Sequence, residues 1–455
     1  VRLSGREIAA AIGAEILAEG APEPPRRATI ASGEAGPGDL FFGLRGANHN
    51  GGKFAPAAIE AGAWGIVADR SSCRFVTDIE ENRQLDRWVF AVEDPLAALQ
   101  ALARAWRRAL GARVVGVTGS VGKTSVKDIA RALLPGKVHA NRENLNTEIG
   151  LPLTILEAPD DTETLVLEMA MRGRGQIAEL VAIAEPEVAV ITNVGPVHVE
   201  LLGSVEAIAA AKAEILDDLP PGGTAVAPVQ AGALEPHLKP IAEQLRFGPG
   251  GDVEATEIEV AGGVTEALVK TPLGARRFHF PFAEAHNLTN ALAAIAAAVA
   301  LGADPAGMAD RAASIGFSRF RGERLQLPGG IVLVNDCYNA NPVSMRAALD
   351  HLASLEAERT VAVLGEMGEL GPGSAGYHRE VGEHARAAGV DFVVGVGLPA
   401  RDYDPDELVA DPGEAAELLA QRIEPGDAIL VKGSRSAGLE AVAEQLVDLV
   451  PAEDG

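Results

Sequence analysis

The 455-residue sequence predicts an α/β protein of three domains: a small mixed domain, a central doubly wound domain and a second α/β unit. Three observations lead there. The chain is too long for one hydrophobic core. Apolar, strand-like runs alternate with helical patterns over its last two thirds. Residues 114–128, VVGVTGSVGKTSVKD, carry an apolar run through a glycine-rich turn into a helical pattern. That third stretch has the form strand, phosphate-cradling loop, helix N-terminus, a P-loop type arrangement that binds nucleotide triphosphates. Glycines at 116, 119 and 122 let backbone N–H groups approach phosphate oxygens with no Cβ in the way. Val117 stands where the first loop glycine is usually written, with Gly116 before it. Gly119, Ser120, Gly122, Lys123, Thr124 and Ser125 are the expected nucleotide contacts. Lys123 would neutralise the β/γ-phosphates and the Thr124 hydroxyl would sit on Mg²⁺. No Asn-Lys-x-Asp guanine signature appears, so ATP is the expected nucleotide and the central domain reads as an ATPase-type unit.

The formal charge of −25 argues against nucleic acid, whose backbone demands a basic surface, and against an anionic membrane. Lysine is scarce, at positions 53, 123, 127, 137, 212, 239, 270 and 432 only, so a lysine inside a motif stands out. Cys73 and Cys337 give neither a disulfide framework nor metal-ligand spacing. No leader-like segment and no membrane-length apolar run is visible. A cytoplasmic, monomeric enzyme acting on small molecules is the expectation.

Residues 1–93 form the first expected domain. A helix is predicted over 2–17, then a Gly-Pro-Gly turn at 36–38, a strand over 39–44, a helix over 54–61 and strands over 64–68 and 88–92. The charged stretch 78–87 reads as a solvated loop. Asp94-Pro95, an N-cap followed by proline at the first helical position, opens the central domain, 94–317. Its helix over 96–110 leads into the loop strand; further strands are predicted at 164–169, 187–193 and 224–228. A helix starting near His286 and rich in alanine through 303 closes it, as a buried helix. The third domain, 318–455, is Rossmann-like, with strands at 331–335, 360–364, 391–396 and 428–432.

Four stretches downstream of the loop could complete an ATP site. Glu168 ends a strand at the carboxyl edge, where α/β sheets place ligands, and a carboxylate there can hold Mg²⁺. His198 follows another strand. Lys212 lies among alanines and isoleucines on a helix, and His286, Asn287 and Asn290 open a helix with groups suited to adenine or ribose. Taken singly, each has an ordinary reading: a surface carboxylate, a satisfied histidine, a snorkelling lysine, a helix cap. Their shared order around one loop favours the site. In the third domain, residues 335–342 (NDCYNANP), 364–371 (LGEMGELG) and 432–436 (KGSRS) crowd polar groups at strand ends.

The combination GVTGSVGKTSVK, NLNTEIGLP, LEMAMRG, NVGPVHVELLGS, AKAEI, HNLTNALAA, NDCYNANP, LGEMGELG and KGSRS resembles the Mur ligase family over residues 30–440. Within that family it is most similar to the members that join D-alanyl-D-alanine to UDP-N-acetylmuramoyl-tripeptide; the Asp-Asn-Pro-Arg signature of a neighbouring branch is absent. The resemblance implies peptidoglycan precursor synthesis through an acyl phosphate made from ATP. It implies Lys123, Glu168, His198 and Lys212 as catalytic residues, with Thr124 and Glu168 on one Mg²⁺ and His198 on a second. Lys212 matches a lysine that becomes carbamylated and so a metal ligand. Asn287 and Asn290 would lie near the adenine, and Arg324 and Asp336 would reach back to the nucleotide from the third domain. Asn146, Thr147, Tyr338, Asn339, Asn341, Lys432 and Ser434 would face the substrates. The chain departs from the family in the first domain. Ala31-Ser32-Gly33 replaces Asp-Ser-Arg and Asn50-Gly51-Gly52 replaces Asp-Gly-His, removing an arginine and a histidine. Arg26, Arg27 and Arg45 are the candidates to substitute. A Mur-type ligase with another carboxylate acceptor, and a silent ATP-binding paralogue, are the competing expectations.

Overall fold

A computed structural model of the chain describes residues 2–46, 49–80, 86–142, 144–195, 202–241 and 243–449. Among these residues the strands form four sheets. In the first, strand order runs Glu15–Ala18, Trp88–Val92, Gly65–Asp69, Asp39–Phe42, Arg27–Thr29, with Glu15–Ala18 antiparallel to its neighbour and the others parallel. The helix expected over 2–17 is Gly5–Ile12 only, because Gly13 takes the left-handed conformation (φ 63°) and ends it. The chain then enters the edge strand. The expected loop over 78–87 is corrected at its first three residues: Arg70–Glu80 is helical, started by Asp69, whose side chain accepts the backbone N–H groups of Ser71 and Ser72 (3.1 Å each). Residues 81–85 lie outside the described set.

The second sheet is wholly parallel, in the order Gln244–Phe247, Thr224–Pro228, Val188–Ile191, Arg113–Thr118, Thr164–Glu168, Val138–Ala140. Arg113–Thr118, the strand that feeds the phosphate loop, is central. Both of its faces are buried, which is why it reads as an unbroken apolar run. Val115 and Val117 meet Val126, Ile129 and Leu133 of the helix Lys123–Leu133 and the helix Ala285–Ala300. Val114 joins the opposite core, with Leu165, Leu167, Ile191 and the helix Pro95–Leu110. That same core takes in Trp64, Trp88 and Phe90, so the first two sheets share it. A three-stranded antiparallel meander, Glu254–Ala261, Val264–Thr271 and Gly274–Phe280, was not among the expected elements.

The last sheet runs Glu323–Leu327, Ile331–Asn335, Asp427–Lys432, Arg359–Leu364, Phe392–Val396, Glu407–Val409. Its first pair is antiparallel and the rest parallel. The strand ends of this sheet face the phosphate loop of the second, and the space between them holds the site.

Candidate active site

The phosphate loop is shaped by its own glycines. Gly122 sits at φ 81°, and a Cβ there would stand 2.3 Å from Asn290 Oδ1. A Cβ on Gly119 would meet Thr192 Oγ1 at 1.9 Å. Asn193 braces the turn: its Oδ1 accepts the N–H groups of Ser120 (3.1 Å) and Val121 (3.0 Å). Lys123 Nζ donates to the Gly119 carbonyl at 2.9 Å, folded over the loop it would serve. Lys123 opens onto the cavity; desolvation and Arg321 pull its ammonium below the ordinary value while Glu168 pulls it up.

Thr124 and Glu168 come together as the sequence suggested. Thr124 Oγ1 donates to Glu168 Oε2 at 2.8 Å, and Asn146 Nδ2 donates to Oε1 at 2.8 Å. Asn141 holds the same residue by its backbone, accepting the Glu168 N–H at 2.6 Å. Both Thr124 and Glu168 are buried at the carboxyl edge of the central strands.

Two cavities open from this point. The first, of about 280 Å³, is lined by Ser120–Ser125, Asn287 and Asn290 from the central domain and by Asp336, Asn341 and Lys432 from the last sheet. The second, of about 570 Å³, is lined by Asn146, Thr147, Arg172, Tyr338, Glu369 and Ser434 among others. Lys123, Glu168, Arg321 and Asn339 line both. A group transferred between the cavities would pass these four.

Several expected residues stand elsewhere. Arg324 is exposed on its strand, its guanidinium 3.3 Å from where a Cβ on Gly263 would be, and it lines neither cavity. The neighbouring arginine is the one brought in: Arg321 precedes the strand, where the chain is not bound to sheet alternation, and stacks over the Tyr338 ring at 4.2 Å. Asn341 faces the first cavity rather than the second and N-caps the helix Pro342–Ala353, accepting the Ser344 N–H at 3.0 Å. Lys432 also lies on the first cavity, buried, donating to Asp336 Oδ2 (2.5 Å) and the Asn339 carbonyl (3.1 Å). Lys212 lines neither cavity. It is 2 % exposed, and burial together with the charge of Lys123 pushes its ammonium far below the ordinary range. His198 lies outside the described residues.

Sequence reasoning missed Arg321, Asn193, Asn141, Glu284 and His351. Asn193, at the end of an apolar run beside the loop strand, carried a signal of the kind that singled out Glu168. The others had none.

In the first domain, Arg26 and Arg27 are already committed. Both donate to the buried Asp39 carboxylate, at 3.0 Å and 3.1 Å. Gly52 has no room for a side chain, since a Cβ would stand 2.3 Å from Ser72 Oγ. The Asn50 side chain accepts the Gly52 N–H and donates to Asp69 at 2.9 Å. Arg45 is exposed and bridges to Asn50 through its backbone.

Fold and site together define a multidomain α/β protein with a P-loop type nucleotide cavity shared between its last two domains. Three family models match in order: Mur ligase family, catalytic domain, over 27–107; Mur ligase middle domain over 117–298; and Mur ligase, glutamate ligase domain, over 320–435. The chain is 38% identical over 429 residues to a UDP-N-acetylmuramoyl-tripeptide–D-alanyl-D-alanine ligase of Synechocystis, covering 90% of this chain and 89% of that one. It is 34% identical to the ligase of that name from Bacillus subtilis, with 90% of each covered. MurF from Acinetobacter baumannii superposes with a TM-score of 0.87 at 28% identity, over 98% of this chain and 99% of that one. MurF ligase from Thermotoga maritima, solved with ADP, gives 0.81 at 31%, over 93% and 98%. The chain belongs to the Mur ligase family.

Proposed function

We propose that this protein joins D-alanyl-D-alanine to UDP-N-acetylmuramoyl-tripeptide with hydrolysis of ATP to ADP and phosphate, in the synthesis of peptidoglycan precursors. The observation that carries it is the meeting of two cavities at Lys123, Glu168, Arg321 and Asn339. One cavity has the phosphate loop, the other the polar walls that two peptide substrates need. The relatives named for this reaction, aligned along nine-tenths of their length, support it.

In this reading residues 1–93 bind the UDP portion, 94–317 hold ATP and 318–455 bind the incoming dipeptide. A carboxylate oxygen of the tripeptide attacks the γ-phosphorus and ADP leaves, giving an acyl phosphate. The dipeptide amine then attacks the acyl carbon, loses a proton, and phosphate departs as the amide forms. This chain's part is positioning and charge neutralisation. Lys123 and Arg321 stand where negative charge accumulates, and Asn287 and Asn290 fix the base. Asp336 reaches the same cavity and holds Lys432; Tyr338, Asn339 and Ser434, with Asn146 and Thr147, line the peptide side.

The residues fit Mg²⁺. Among the described residues no group of three His, Cys, Asp or Glu forms a ready cage. Mg²⁺ instead takes one or two carboxylates and the phosphates themselves, and the Thr124–Glu168 pair offers that set. Mg²⁺ bound there would neutralise phosphate charge. Lys212 is buried, and burial with the charge of Lys123 lowers its ammonium pKa, which favours the neutral amine that adds to CO₂ with loss of a proton. The resulting carbamate would offer an anionic oxygen to a second Mg²⁺, with His198 expected beside it.

Phosphate release with ATP, Mg²⁺, D-alanyl-D-alanine and UDP-N-acetylmuramoyl-tripeptide, each omitted in turn, tests this reading. Turnover that needs all four establishes it. The filled space at Gly52 and the commitment of Arg26 and Arg27 to Asp39 favour a second reading, a different carboxylate acceptor. ATP binding with no turnover on the muramoyl peptide would select that one.

A further inference from the structure

At the end of the first cavity away from the phosphate loop, two titratable side chains from different domains meet out of solvent. Glu284 immediately precedes the helix Ala285–Ala300 of the central domain; His351 lies on Pro342–Ala353 of the last. Their side chains are 13% and 8% exposed, and His351 Nε2 stands 3.2 Å from Glu284 Oε1. The contact lies off the hydrogen-bond axis, and that nitrogen has no other partner. Glu284 Oε2 accepts from Asn287 Nδ2 at 3.2 Å, and Asn287 Oδ1 accepts from Asn290 Nδ2 at 3.3 Å. Asn290 Oδ1 then lies against Gly122 of the phosphate loop.

We propose that Glu284 and His351 are an inter-domain positioning pair that orients the Asn287 and Asn290 amides for the nucleotide once the last domain is docked on the central one. The inference rests on the nucleotide-binding reading of this cavity. An ionised carboxylate only accepts, so Asn287 must turn its NH₂ toward Glu284 and its oxygen toward Asn290. The relay therefore has one direction, set at the Glu284 end. Burial alone would raise the Glu284 pKa, but His351 beside it, with the Asn287 amide, brings it down to about 2. The imidazole comes from the other domain. His286 of the same cavity feels Glu284, His351, Asp336 and Lys432, and Lys432 is held by Asp336. A plain structural ion pair is the competing account, since buried pairs are often replaceable with no loss of stability. The amide relay into the phosphate loop is what that account leaves unexplained.

The test is Mg²⁺–ADP affinity of the full chain by calorimetry, which needs no acceptor substrate. His351→Gln should bind roughly tenfold more weakly than wild type, the size of one charge-assisted contact. His351→Lys keeps a donor facing Glu284 and should hold the wild-type affinity. Glu284→Gln with His351→Gln should bind no worse than either alone. Melting curves separate these effects from loss of fold. Wild-type affinity in His351→Gln, or additive losses in the double variant, would overturn the pair. Wild type that binds no ADP would instead overturn the nucleotide reading itself.

Discussion

Lys123 and Lys212 show how burial sorts two side chains of one chemistry. Lys123 opens onto a cavity and has a carboxylate near it, so it is suited to carry charge to a phosphate. Lys212 is buried and feels the charge of Lys123, both of which favour its uncharged form. Lys123→Ala should lower phosphate release by roughly 10²–10³, the usual effect of removing one preorganised charge donor. Near-normal ADP formation would contradict the loop's role. Lys212→Ala should be inactive yet partly recovered by short-chain carboxylates such as formate or acetate, which can supply the missing anionic oxygen. Failure of every carboxylate at every concentration would leave the carbamate without support. Glu168 needs no such inference to be noticed: both its oxygens and its backbone are held by Thr124, Asn146 and Asn141.

At the scale of elements, the phosphate loop is a joint between a strand, a helix N-terminus and the start of a second helix. At Gly122 the left-handed turn and the Asn290 amide both require glycine. Gly122→Ala should lose about 1–2 kcal/mol from the backbone conformation alone. It should also displace Asn290, so ADP affinity should fall further than stability predicts. Calorimetry beside a melting curve checks this, and equal losses in both would mean that Asn290 does not touch the nucleotide. The strand Arg113–Thr118 and the helix Lys123–Leu133 were legible because the sheet buries both faces of the strand and the helix shows an apolar stripe. The meander Glu254–Phe280 was not, because its strands carry polar and charged residues on an exposed face.

For the whole molecule, the decisive contact runs from the phosphate helix to the segment that leads into the last domain. Asp128 Oδ2 accepts both the N–H (2.9 Å) and the hydroxyl (2.7 Å) of Ser318. Its other oxygen is 3.0 Å from the ammonium of Lys127, itself 2% exposed and donating to the Asn141 carbonyl at 2.9 Å. The joint between domains is thus tied to the helix that would bind phosphate and, through Asn141, to Glu168. Asp128→Ala strands a buried ammonium and should cost about 3–5 kcal/mol in denaturant unfolding. Ser318→Ala removes one hydroxyl contact and should cost about 1 kcal/mol. If Asp128→Ala unfolds at the wild-type midpoint, the tie is incidental. No helix of the described residues is long and apolar enough to cross a membrane, in keeping with the charge and composition.

The sequence by itself determined the α/β class, the phosphate loop, the order of motifs and the family resemblance. Each is written in contiguous residues: a period, a glycine turn, a polar cluster at a strand end. Even the Thr124–Glu168 pair, 44 residues apart, was within reach, since both stand at the carboxyl edge of one parallel sheet. Only the tertiary structure decided which of two nearby arginines enters the site. Arg321 is free of strand alternation and Arg324 is held by it. It also decided that Asn341 caps a helix, that Lys432 neutralises Asp336, that Asp39 occupies Arg26 and Arg27, and that Glu284 meets His351. The reason is physical. A side chain's partner depends on which direction its Cβ faces and which element is packed opposite, and neither is a property of neighbouring residues in the chain.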